Sequence, residues 1–390
     1  MINPQSLESI RSTKASSIWQ ATKVILVRHA RTTYNEQQRY QGSSDESVLT
    51  AKGYKDAYAT GLALRQYDFD VICTSPLKRV RQTTQAIVNA LKTRNNNILP
   101  VYSDRLLTEI CMSQWQGLYY QEVKEKQQQA YEVWQKTPHL FSFNKTFFPV
   151  LELFERARQF WQKVLTRHQG KTILIVAHGG TNRALISTAL CLNPDRYHSL
   201  QQSNCGISCL EFSNSNNSGK LKYLNATYHL GETLPKLKAG KTGWRWLLVS
   251  DANAKDLANC SFLEEVCDRN SIDLLLTARS VSESLAQNLA TNYNIPHLAF
   301  TENHLLNWQK TIIKRQKMPI SSKRLSLITS LIIASTKSIS RILNTTINTN
   351  ILDITDSFAV IHYSQNNSHP ILQGILPFTR KSISLSKLNH

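Results

Sequence analysis

The sequence predicts a layered α/β sandwich with a mainly parallel sheet, followed by a second, smaller α/β domain of similar design. Three stretches carry the prediction: VILV at 24–27, FDVICTS at 69–75 and TILIVA at 172–177. Each is a short β-branched run that enters a polar loop, and the second and third lead on into helical patterns. Strand, loop and helix repeated in this order mark a sheet whose strands run the same way.

The first strand runs directly into Arg28, His29 and Ala30. After the second, Pro76 suits a first helical turn, and Leu77, Val80, Thr84, Ile87 and Leu91 recur at helical spacing. Arg79 and Arg81 then fall on different helix faces, and Arg81 reads as solvated or salt-bridged. After the third strand, His178-Gly179-Gly180 reads as a tight turn. TNRALISTALCL follows as a helix whose first residue, Thr181, caps its own N-terminus. The Trp115, Trp134 and Trp161 region reads as core or lid rather than as a base-stacking platform.

The 390 residues suffice for two ordinary domains. Lys and Arg outnumber Asp and Glu by 46 to 27, a net charge of +19, which favours anionic partners: nucleic acid, an acidic membrane surface or phosphorylated small molecules. Charge is the only argument for nucleic acid, because helix-turn-helix, zinc-finger and paired-aromatic patterns are missing. The seven cysteines, Cys73, Cys111, Cys191, Cys205, Cys209, Cys260 and Cys267, are scattered without a CxxC pair, against a disulfide framework or structural zinc. Residues 1–20 lack the apolar core of a secretory signal and read as a disordered tail. The longest apolar stretch, LSLITSLIIAS at 325–335, is far below the roughly 18 residues of a membrane span. The expectation is a soluble, cytoplasmic protein without membrane partners, its oligomeric state open.

In open α/β sheets, ligands bind beyond the carboxyl ends of the strands. The three strand ends hold Arg28 and His29, then Arg79, then His178. Two imidazoles and two guanidiniums suit a phosphoryl group, whose charged oxygens planar Arg forks bind in bidentate fashion. A neutral imidazole is also a nucleophile near pH 7.

VILVRHARTTYN, YQGSSDESVLTAKG, TSPLKRVRQTTQAI, LLTEI and VAHGGTNR, in that order over roughly residues 23–230, resemble the histidine phosphatase superfamily, also called phosphoglycerate mutase-like. The resemblance implies a phosphomonoesterase that hydrolyses a small phosphorylated metabolite, with neither metal nor cofactor. It makes His29 the nucleophile that becomes phosphohistidine, and Arg28 and Arg79 phosphate ligands. Asn35 contacts the same group, and His178 donates to the phosphoryl oxygens and is held protonated by the anion. Glu109 protonates the leaving oxygen and then activates water. Ala30 stands where the family most often has Gly, Arg31 where an acid is common, and Cys111 removes a carboxylate from the loop after Glu109. A mutase of this family carries a longer basic and aromatic signature after the acid, and LTEICMSQWQGL lacks it. Phosphoglycerate mutase-type transfer and a non-catalytic phospholigand-binding protein are the two alternatives.

The second half echoes the first. RWLLVSDANAKD, IDLLLTARSVSESLAQNLA, LIIASTKSISRILNTTI and SFAVIHYSQNN align in order with segments around β-branched runs of the first half. In that alignment Arg28, His29, Arg79 and His178 become Ser250, Asp251, Ser282 and Ser335. The expected organisation is a tail at 1–20, a catalytic domain at 21–233, a linker at 234–243 and a degenerate, inactive copy at 244–390. An unrelated basic α/β domain is the alternative for that last part.

Overall fold

The computed structural model describes residues 21–92, 99–213, 218–253, 266, 272–316, 326–348, 354, 356–367 and 369–378. The expected tail lies outside the described residues. The first six strands are β1 (Thr22–Arg28), β2 (Val71–Thr74), β3 (Val101–Ser103), β4 (Thr172–Ala177), β5 (Ile207–Phe212) and β6 (Lys220–Ala226). The next six are β7 (Gly243–Ser250), β8 (Leu274–Ala278), β9 (His297–Phe300), β10 (Leu327–Ala334), β11 (Ser357–Tyr363) and β12 (Ile371–Pro377). All twelve join one sheet in the order β3-β2-β4-β1-β5-β6-β12-β11-β7-β10-β8-β9.

The two wings are parallel, as the strand–loop–helix pattern requires. The four central strands are antiparallel, because β5 to β6 and β11 to β12 are hairpin connections too short for a crossover. Counted from its outer edge, the second wing repeats the order of the first. β7, β8, β10 and β11 are the strands of the four echoing segments, and they occupy the places of β1, β2, β4 and β5. The halves meet where β12 pairs with β6, Ile375 opposite Leu224.

In β1, Val24 and Leu26 face one side of the sheet and Ile25 and Val27 the other, all fully buried. Apolar residues on both faces are the mark of a sheet covered on both sides. Helices α2 (Ala51–Ala63) and α3 (Lys78–Lys92) cover one face. The other carries α6 (Pro149–Arg167) and α7 (Gly179–Ala189), with Trp115, Trp134 and Trp161 inside that core as expected. The short helices α1 (Thr33–Glu36), α4 (Tyr120–Lys126) and α5 (Gln128–Lys136) lie in the loops between. Both apolar clusters continue into the second half, through Ile332 and Ile361 on one face and Leu247 and Ile333 on the other.

Two local expectations change. Helix α7 starts at Gly179, before Thr181, and its N-cap His178 makes no side-chain cap. Its amides are instead capped from a distant loop, as described below. The 234–243 stretch is fastened to both halves rather than free: Gln201 Nε2 donates to the Lys236 carbonyl (3.0 Å), Arg245 Nη2 to Pro235 (2.9 Å) and Asn366 Nδ2 to Ala239 (3.1 Å).

Candidate active site

The carboxyl ends of β1 and β4 converge on a cavity of about 430 Å3. Arg28, His29, Asn35 and Glu109 line it. Arg79 and His178 are fully buried behind those residues. The His29 and His178 rings stand 5.3 Å apart, tilted by 66°.

His29 follows β1 with its amide bonded to Ala177 of β4 (2.9 Å). Its Nδ1 lies 2.9 Å from the Ala30 carbonyl, which can only accept, so Nδ1 carries the proton and Nε2 keeps its lone pair. Burial pushes the imidazole well below its ordinary pKa, and the charges of Arg28 and Arg79 push it further. Ala30 is fully buried, with its amide on Thr83 Oγ1 (3.0 Å), so the methyl that replaces the usual hydrogen is accommodated.

Arg28 donates through Nη1 to the Gln202 carbonyl (2.8 Å), and its Nε has no partner. Arg79 is held by the Ser44 carbonyl (2.6 Å) and the Gly42 carbonyl (2.8 Å), with Nε unpartnered. Burial lowers Arg79 to about 10, against Glu109 and Asp45, which raise it. His178 Nε2 lies 2.8 Å from Ser75 Oγ, and its buried Nδ1 has no partner. Burial and then Arg79 depress His178 well below its ordinary pKa, so without an anion it is neutral rather than protonated. Asn35 spends its Oδ1 on the Thr32 amide (3.3 Å) and Asn204 Nδ2 (3.0 Å), which leaves its amide donors. The site therefore collects donors without acceptors, an arrangement suited to an anion.

Glu109 is the one acid among them. Its oxygens accept from the amides of Gly180 (3.1 Å), Thr181 (3.1 Å) and Ile110 (2.9 Å), and so cap α7 where its dipole is positive. The two glycines make this possible. A Cβ at Gly180 would stand 2.5 Å from Glu109 Oε1, and one at Gly179 would stand 3.1 Å from Arg28 Nε. The Cys111-bearing loop is braced by Arg156 of α6, whose Nη1 donates to the Thr108 carbonyl (2.8 Å) and whose Nε pairs with Glu152 (2.5 Å). That brace does without the missing carboxylate.

The second half also has an acid near a helix start. Glu302, just after β9, accepts from the amide (3.1 Å) and Oγ (2.6 Å) of Ser335, the residue whose own side chain caps helix Thr336–Ile347 by accepting from Ser338 N–H (3.2 Å).

Sequence reading missed Arg156, Arg183, Gln202, Asn204 and Lys238. Arg183 lay in the quoted VAHGGTNR segment, and its place one turn into α7 was a usable signal. The others had none, because their partners are far away in the chain. No group of three or more His, Cys, Asp or Glu side chains able to hold a metal occurs among the described residues, and no helix there is long and apolar enough to cross a membrane.

A sequence model of the histidine phosphatase superfamily (branch 1) matches residues 24–227. Over 193 residues the chain is 43% identical to 2-carboxy-D-arabinitol-1-phosphatase of Triticum aestivum, covering 50% of this chain and 37% of that one. It is 31% identical over 210 residues to phosphoserine phosphatase 1 of Hydrogenobacter thermophilus, covering 54% of this chain and 95% of that one. Among solved structures, Bacillus stearothermophilus YhfR is 27% identical and covers 52% of this chain and 95% of its own, with a TM-score of 0.47. The chain thus spans well under half the length of the plant relatives it matches. The model takes in β1 to β6 and with them each of the cavity's expected residues, so this chain belongs to the histidine phosphatase superfamily, branch 1.

Proposed function

We propose that the protein is a phosphomonoesterase that works through a phosphohistidine at His29. The observation that carries this reading is the placement of the His29 ring, its Nδ1 tied to Ala30 and its Nε2 left open beside Arg28, His178 and Glu109. The substrate's phosphoryl oxygens take the unpartnered donors of Arg28, Arg79 and His178, and the donors of Asn35. Nε2 attacks phosphorus, the P–O bond to the leaving group breaks, and Glu109 gives that oxygen its proton. Water then attacks phosphorus and passes a proton to Glu109 as the P–N bond breaks, its electron pair returning to Nε2, which releases phosphate and neutral His29. The guanidiniums and His178 supply the charge stabilisation at the oxygens. His178 Nδ1–H can donate while Nε2 accepts from Ser75, so the ring need not be charged to serve.

The named relatives support hydrolysis of small phosphorylated compounds as the reaction class. The repeated strand order and the placement of Glu302 support reading 244–390 as a degenerate copy, with Ser250, Asp251, Ser282 and Ser335 in place of the phosphate-handling groups.

The experiment compares wild type with His29→Ala on an aryl phosphate in EDTA, from about pH 5 to 8. Phosphate release and an acid-labile phosphoprotein in wild type alone are expected. Equal release by both proteins would refute the reading. Transfer to a second hydroxyl without free phosphate would make the protein a mutase.

A further inference from the structure

The catalytic cavity opens into a larger one of about 920 Å3, and Arg183 and Lys238 line both. The outer wall belongs to the second half: Gln365, Asn366 and Asn367 of the turn between β11 and β12. Lys238 comes from the fastened 234–243 stretch. Its stem is exposed while its ammonium reaches inward and donates to the Gln202 carbonyl, the same oxygen that accepts from Arg28.

Charge at this throat exceeds what one phosphoryl group needs. Arg28, Arg79 and His178 already serve that group in the reading above. Arg183 spends Nε on the Leu200 carbonyl (2.8 Å), and neither it nor Lys238 forms an ion pair among the described residues. Gln202 adds an independent sign. It is 2% exposed, lines the catalytic cavity, and its Nε2 donor has no partner. A buried donor without a partner is destabilising, and a bound acceptor would satisfy it.

We propose that Arg183, Gln202 and Lys238 form a second anion subsite, which holds a carboxylate on the substrate beyond the scissile phosphate. The proposal rests on the phosphomonoesterase reading for which phosphate is cleaved. A guanidinium edge, an amide and an ammonium match the two oxygens of a carboxylate. Its negative charge offsets part of the surplus and leaves Arg28 and Arg79 to the phosphoryl group. The stretch joining the halves thereby becomes a wall of the substrate site.

The test is calorimetric titration of the full chain carrying His29→Ala, so that nothing turns over. The ligands are 3-phosphoglycerate and glycerol 3-phosphate, which differ by a carboxylate in place of a CH2OH. Binding of the carboxylate-bearing ligand about tenfold tighter is expected, from one charged hydrogen bond or more, and Lys238→Met should reduce the preference to under about threefold. Lys236→Met removes the same charge from an exposed lysine paired with Glu232 (2.8 Å) and should leave the preference in place. Equal affinities with Lys238 present would overturn the proposal. So would equal weakening of both ligands by Lys238→Met, or the same loss of preference from Lys236→Met. If wild type and His29→Ala release phosphate alike while the preference holds, the subsite stands and the phosphatase reading falls.

Discussion

Glu109 carries two roles that a single substitution separates. Glu109→Gln keeps the shape and one acceptor oxygen but puts an NH2 where the second oxygen meets a backbone amide of α7. One charge-assisted hydrogen bond is lost, about 1.5–3 kcal/mol, and with it a carboxylate at a helix N-terminus, about 0.3–1 kcal/mol. Urea unfolding should therefore show a loss of about 2–4 kcal/mol. Catalysis adds a separate signature. With an alkyl phosphate, whose leaving oxygen needs a proton, the rate of phosphoenzyme formation should fall by about 10² to 10⁴. With p-nitrophenyl phosphate, whose phenolate departs without a proton, the fall should be far smaller. Glu302→Gln provides a control away from the cavity: it weakens the carboxylate's hold on Ser335, the N-cap of helix Thr336–Ile347, and should lower stability with no dependence on leaving group. Equal rate losses for both esters in Glu109→Gln would show that this carboxylate only holds α7, and the acid role would be abandoned.

Gly180→Ala forces Glu109 or Tyr197 to move and should cost about 1–3 kcal/mol by urea unfolding, with activity falling alongside; unchanged stability would contradict the close approach. Gly179→Ala presses only on Arg28, so kcat/KM should fall with little change in unfolding. The buried histidines predict acid sensitivity. His29 and His178 lie well below the ordinary value, and burial lowers His229 and His362 to about 4 and His198 to about 3. The unfolded chain takes up these protons first. Stability is therefore full above about pH 6.5 and lost below it, each histidine contributing about 1.4 kcal/mol per pH unit until its folded pKa is reached. Flat unfolding free energy between pH 6.5 and 4 would contradict the burial. Deleting 244–390 bares β6 and unbacks the 200–204 loop, where Gln201 bonds to Leu372, and should reduce solubility and stability more than phosphohistidine formation; a folded truncate unable to form phosphohistidine would count against this.

The sequence by itself determined the strand ends and the residues on them. Hydrophobic periodicity and motif order are local properties, so VILV and TILIVA marked buried strands, and Arg28, His29, Arg79 and His178 followed from position alone. Glu109 came from motif order, but its place on the α7 amides did not, because 71 residues separate it from Gly180. The Thr181 cap was the natural local guess and lost to that distant carboxylate. Only the tertiary structure decided that the two halves share one sheet, since pairing of β6 with β12 leaves no trace in either strand's own pattern. Only it brought Gln202 to Arg28 across 174 positions and turned the Lys-rich 234–243 stretch from a spacer into a wall of the cavity. Lysine and glutamine carry no periodic signal; what they do depends on the buried charges that the fold sets beside them.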